Sequence, residues 1–197
     1  VLRNTYMLLA MTLLFSAVCA GLSMALNVPH FGLLTIVFYI GLLFLVEKTK
    51  NSSYGILSVF ALTGFLGMTL GPILSSYMAM SGGETVMYAF AGTGITFVGL
   101  SAYALISKKD FSFLRGFIFA GMIALVLAMV ASFFLDISGL QTAISCGIIL
   151  FSSALILYQT GEIVHGGETN YISATVTLYV SIYNIFLSLL SLFGGSD

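Results

Sequence analysis

Residues 155–193 read LILYQTGEIVHGGETNYISATVTLYVSIYNIFLSLLSLF. Two long apolar runs flank a short polar hinge at residues 165–170, and a helix of about 20 apolar residues is what crosses a hydrocarbon layer of about 30 Å. The stretch therefore reads as two transmembrane helices joined by a tight turn. Past the hinge, Asn170, Ser173, Thr177, Ser181, Asn184, Ser188 and Ser191 recur at spacings of three and four. At about 100° per residue they fall in one sector roughly 80° wide, and lipid is not expected to face that stripe.

Composition extends the reading to the whole chain. Of the 197 residues, 59% are apolar and 7% charged, against about 25% charged in a soluble domain; the mean hydropathy is +1.13. The chain is an integral membrane protein, with the bilayer as its first partner. Its apolar runs are too many for a cleaved signal peptide ahead of a soluble body. A net charge of -1 without a basic cluster argues against nucleic-acid binding. Cys19 and Cys146 both lie inside apolar runs and are expected as buried packing residues rather than a disulfide or a metal site. Because the first residue is Val1, an upstream segment is expected.

Hydropathy and turn residues place one transmembrane domain over residues 1–197, all α. Its seven helices are expected at about residues 5–25, 31–46, 54–78, 85–106, 111–135, 140–164 and 171–193. The second is short for a span. In the third, Gly64, Gly67 and Gly71 share a face and suit close helix packing, and Pro72 is expected to kink the helix or end its regular part. Short connections make consecutive helices antiparallel neighbours. Arg3, Lys48, Lys50, Lys108, Lys109 and Arg115 then all fall on the side of the N-terminus. The positive-inside rule puts that side and the hinge in the cytoplasm, with Asp197 outside.

The sixth helix carries a polar sector of its own, Gln141, Ser145, Ser152, Gln159 and Glu162, about 100° wide. Interhelical hydrogen bonding is the expected role of the serines and threonines. For Gln159 and Asn184, deeper amides that are costly to leave unpaired, structural and functional readings stay level. Glu162, His165 and Glu168 mark the rim; Glu162 can snorkel to the interface and His165 can titrate near neutral pH. Glu168, Thr169 and Asn170 suit a helix start. The Glu162–His165 spacing matches half of a carboxylate-bridged di-metal site, but the second copy and further glutamates it needs are missing. No metal or cofactor is expected, and no nucleophile elbow, phosphate loop or acid–base constellation points to an enzyme.

At the hinge the residues become specific. His165, Gly166, Gly167, Glu168, Thr169, Asn170, Tyr171 and Ile172, followed by Leu178, Tyr179, Tyr183, Asn184, Ile185 and Phe186, closely resemble the C-terminal signature of the Bax inhibitor (TMBIM) family. Supporting matches are Thr63, Gly64, Phe65, Gly67, Leu70, Gly71, Pro72 and Ile73, and residues 2–6. The resemblance runs essentially the whole length. It implies seven helices with the last surrounded by the other six, in a bacterial inner membrane. It also implies two candidate functions. One is association with a membrane-bound AAA protease of the FtsH type, restraining its degradation of membrane proteins. The other is a pH-sensitive leak for Ca2+, gated by a pair of acids that share a proton. The positions matching that acid pair are Gln159 and Ser181, which do not ionise in the working range. Glu162, three residues on and roughly on the same face, is the residue that can take over the acidic role.

Overall fold

The computed structural model describes residues 1–194, and the expected position of Asp197 lies outside the described residues. Among the described residues seven helices follow one another: α1 (Leu2–Ala25), α2 (Leu33–Thr49), α3 (Gly55–Ser81), α4 (Gly83–Ser107), α5 (Leu114–Phe134), α6 (Leu140–Val164) and α7 (Tyr171–Gly194). Among the described residues there is no strand. Six of the helices, all but α2, are long and apolar enough to cross a membrane. With 17 residues, α2 is about 26 Å long at 1.5 Å per residue, short of a hydrocarbon core of about 30 Å. Large apolar side chains such as Ile106, Phe133 and Phe134 are more than four-fifths exposed, and α5 has no buried residue at all. Surfaces of that kind suit acyl chains, not water.

The chain forms two compact units. The first comprises Val1–Gly82 and Thr169–Tyr179, so it holds α1, α2, α3 and the start of α7. Here α1 and α3 are the tightest pair. Along α1 the buried residues Thr5, Leu9, Thr12, Ser16, Ala20 and Ser23 form one face. Opposite them α3 offers glycines: a Cβ on Gly64 would stand 2.6 Å from Phe15 Cε1, one on Gly67 2.9 Å from Ser16 Cα, and one on Gly71 3.1 Å from Met24 N. The two backbones approach where side chains are missing. Phe15 completes the contact by meeting Phe60 edge to face at 5.4 Å.

Pro72 neither ends nor interrupts α3, which continues to Ser81. Proline has no N–H, so the carbonyl of Met68, four residues back, loses its intrahelical donor. The Ser23 hydroxyl of α1 donates to that carbonyl at 2.7 Å, reaching it past Gly71. A supplied donor of this kind is how membrane helices tolerate proline. The first unit also keeps α2 on α3, through Thr49 and Ser58 hydroxyls 2.5 Å apart and the ring pair Phe38–Phe65.

The second unit comprises Gly83–Glu168 and the chain from Val180 on. Leu125 of α5 packs over Gly147 of α6 and Phe151 of α6 over Gly121 of α5. Phe90 of α4 meets Phe186 of α7 at 4.7 Å. The connection between α3 and α4 is the single residue Gly82 at φ 74°, a left-handed turn that glycine makes without strain.

Some expectations are corrected. The first helix starts at Leu2 instead of residue 5, the second spans Leu33–Thr49 instead of 31–46, and α5 begins at Leu114 instead of 111. Phe111 instead belongs to a turn set by Asp110, whose Oδ1 accepts the Ser112 N–H at 2.9 Å. Cys146 is exposed and Cys19 only half-buried, and both are free thiols. Ile144 and Ser145 are the buried residues at that level of α6, and one further step of about 100° turns Cys146 outward.

Candidate functional site

The sequence-predicted polar residues gather mainly at the end of α6. The helix closes on a Schellman motif: Gly166 takes φ 78°, the Gly167 N–H donates to the Glu162 carbonyl at 2.8 Å and the Gly166 N–H to that of Ile163 at 3.4 Å. The left-handed position calls for glycine. The Glu168 N–H also donates to the Glu162 carbonyl, at 3.1 Å. Three consecutive residues thus fold back over the last turn, which sets where each rim side chain stands.

Gln159 is 6% exposed, and its Nε2 donates to Glu168 Oε2 at 3.3 Å. A buried amide needs a partner, and the returning hinge supplies a carboxylate. The Glu162 carboxyl lies against Gly167, 3.0 Å from where a Cβ would stand, so a side chain at 167 would displace it. His165 caps α6 and is exposed. Its Nε2 lies 3.1 Å from the Lys109 carbonyl; a carbonyl only accepts, so that nitrogen carries the proton. The α4–α5 turn is further pinned by Phe111, buried against Gly161. The Asp110 carboxyl is held below its usual range by the Ser112 backbone N–H, then by the Ser112 hydroxyl and by the charge of His165.

Beside this turn, Arg115 Nε and Nη2 donate to the Tyr158 hydroxyl at 3.1 and 3.0 Å, and Lys109 Nζ donates to that of Tyr103 at 3.2 Å. Ser181 is fully buried in α7, Ser188 is buried, and Asn184 is half-buried. Ser152 is buried too, but its hydroxyl has no hydrogen-bond partner among the described residues, against the interhelical bond expected of it. Thr177 donates to the Ser173 carbonyl of its own helix at 3.1 Å. Among the described residues no three His, Cys, Asp or Glu side chains come together as a metal site.

The first unit holds the other end of the hinge. Asn170 caps α7: its Oδ1 accepts the N–H groups of Ile172 and Ser173 at 3.0 and 3.1 Å. Its Nδ2 donates to the Lys50 carbonyl at 3.2 Å and to Asn51 Oδ1 at 2.9 Å, tying the start of α7 to the α2–α3 turn. Deeper in this unit, the Ser16 hydroxyl donates to the Thr63 carbonyl at 2.6 Å and accepts from the Tyr179 hydroxyl, whose oxygen lies 3.3 Å from the same carbonyl. Thr175 adds a bond to the Thr5 carbonyl at 3.3 Å. Sequence reasoning missed this node. The available signal was the recurrence of Thr5, Thr12, Ser16 and Ser23 on one face of α1, opposite the glycines of α3.

Comparison with known proteins gives the family. The sequence model of the family described as "Inhibitor of apoptosis-promoting Bax1" matches residues 1–197. An uncharacterized protein of Pseudomonas aeruginosa is 55% identical, over 100% of this chain and 90% of its own length. The "Modulator of FtsH protease YccA" of Escherichia coli K12 is 53% identical over 98% of this chain and 89% of its own, and the same identity is found to the "Inner membrane protein YccA" of a second E. coli strain. With a family match over its full length, and with the hinge glycines, the Asn170 cap and the α3 glycine face all in place, the chain belongs to the Bax inhibitor family.

Proposed function

We propose that this protein is an inner-membrane modulator of an FtsH-type AAA protease. The observation that carries the reading is the 53% identity, over 98% of the chain, to a protein named for modulating FtsH. In this reading α2 completes a seventh span by drawing its flanking residues to the interface. The N-terminus is cytoplasmic, as the one-sided Lys and Arg distribution supports. The last helix is central, supported by α7 having no exposed residue before Phe193. The α3 glycines serve helix packing, and no catalytic step is assigned to the protein.

The test is the rate at which a membrane substrate is degraded by FtsH in proteoliposomes with and without the full chain, together with co-purification. Slower degradation and a stable complex are expected; an unchanged rate with no association refutes the reading. The rival is a pH-sensitive Ca2+ or H+ leak through Gln159, Glu162, His165, Ser181 and Asn184. What the geometry lends it is a carboxylate, that of Glu168, beside Gln159 where the family's acid pair is replaced. A Ca2+ flux above that of empty liposomes, varying with pH and falling in Glu162→Gln, decides for the leak.

A further inference from the structure

The turn between α4 and α5 concentrates positive charge at the membrane face. Lys108, Lys109 and Arg115 are half of the six cationic side chains of the protein, within eight residues, and all three are exposed. Both flanking helices are apolar enough to span, so the turn between them lies in the headgroup layer. Two of the cations are held in place by tyrosines. Arg115 makes its two bonds to Tyr158 with its guanidinium 5.9 Å from the ring centre, and Lys109 stands 5.7 Å from the Tyr103 ring centre as well as bonding to its hydroxyl. Arg115 keeps further N–H groups for a ligand.

Lys108 closes α4 at φ 51°, its N–H donating to the Ala104 carbonyl at 3.2 Å, and its side chain adds a third cation. Two acids border the group. Asp110 has its Oδ1 engaged by the Ser112 N–H, and Glu162 lies close enough to act on Arg115. Three cations against two carboxylates leave an excess of positive charge.

Below the cations runs α5, which buries none of its residues, with Phe113 and Phe117 more than half exposed at its start. A phosphate at the cations with acyl chains along α5 satisfies both surfaces at once. We infer that Lys108, Lys109 and Arg115 form a headgroup site for an anionic phospholipid, its phosphodiester on the cations and its chains on α5. Basic clusters at the cytoplasmic ends of membrane helices recognise lipid headgroups by the same charge complementarity.

Dioctanoyl phosphatidylglycerol titrated into the detergent-solubilised full chain tests this, with dioctanoyl phosphatidylcholine and inorganic phosphate as separate arms. Saturable binding of the phosphatidylglycerol is expected, weakened about fivefold by Arg115→Gln and about fivefold by Lys108→Gln. Arg115→Lys should keep most of it, and Lys48→Gln, outside the cluster, should leave it unchanged. If Arg115→Gln does not fold, Lys108→Gln, in an exposed turn, carries the comparison. Equal binding of phosphatidylcholine, equal affinity for inorganic phosphate, or insensitivity to both substitutions overturns the site.

Discussion

Removing the Ser23 hydroxyl should destabilise the protein only because Pro72 is present. The Met68 carbonyl has no intrahelical amide to accept, since residue 72 is proline, and Ser23 Oγ donates to it at 2.7 Å from a side chain 2% exposed. Ser23→Ala leaves that acceptor without either donor. An orphaned buried polar group costs about 1–3 kcal/mol, and side-chain bonds between membrane helices are worth about 0.6–1.7 kcal/mol, so a loss of about 1 kcal/mol is expected. In a Pro72→Ala background the new amide of residue 72 donates to Met68, and Ser23→Ala then costs about 0.3 kcal/mol or less. The coupling across the four proteins is about 0.7–1 kcal/mol, roughly three- to fivefold in the unfolding equilibrium. The double-mutant cycle cancels whatever Pro72→Ala does to the helix by itself. Far-UV circular dichroism during unfolding in mixed micelles of rising dodecyl sulfate content measures it. Equal costs of Ser23→Ala in the two backgrounds refute the account of how α3 accommodates its proline.

Two further predictions concern the rim. Gln159→Glu places a second carboxylate against that of Glu168, and two adjacent carboxylates resist ionising together. Their repulsion is greatest when both are ionised, so the variant's stability is highest at low pH and falls as pH rises. The variant should be about 2 kcal/mol less stable at pH 8 than at pH 5, measured by thermal unfolding; a midpoint that does not fall with pH relative to the wild type contradicts the pairing. At Asp110 the sign is opposite. Its carboxyl is depressed, chiefly by the Ser112 N–H, so what it contributes is present above the unfolded pKa and disappears as pH falls through the folded one. Amide-exchange protection of Ser112, corrected for intrinsic rates, should drop below about pH 4 in the wild type and stay level in Asp110→Asn, which keeps the acceptor without the titration; an identical drop in both discards the assignment.

The helices were legible because a membrane span is a local object. Its backbone hydrogen bonds close within the segment and its length is set by the hydrocarbon, so hydropathy located α6 at Leu140–Val164 and started α7 at Tyr171 without any tertiary information. The exception is instructive. The turn at residues 111–113 carries Phe111 and Phe113 and looks like helix by hydropathy, but Asp110 takes the Ser112 N–H and Phe111 goes inward against Gly161. Side-chain capping overrode apolar character there.

The candidate site was legible as a set of residues and much less so as a set of bonds. Asn170 was expected near a helix start and caps α7, because a cap is fixed by neighbours two and three residues away. That its amide would also bind Lys50 and Asn51, about 120 positions back, depends on which turns folding brings together. Solvent and local backbone chemistry fix the membrane class and the helix order, and both can be read along the chain. That Ser23 supplies the donor Pro72 lacks, that Ser16 and Tyr179 meet at the Thr63 carbonyl, and that Gln159 finds its partner in Glu168 follow from packing alone. A hydroxyl or amide in a span must find an acceptor, but which one depends on the rotation and depth of the helix beside it, and no periodicity within one helix contains that.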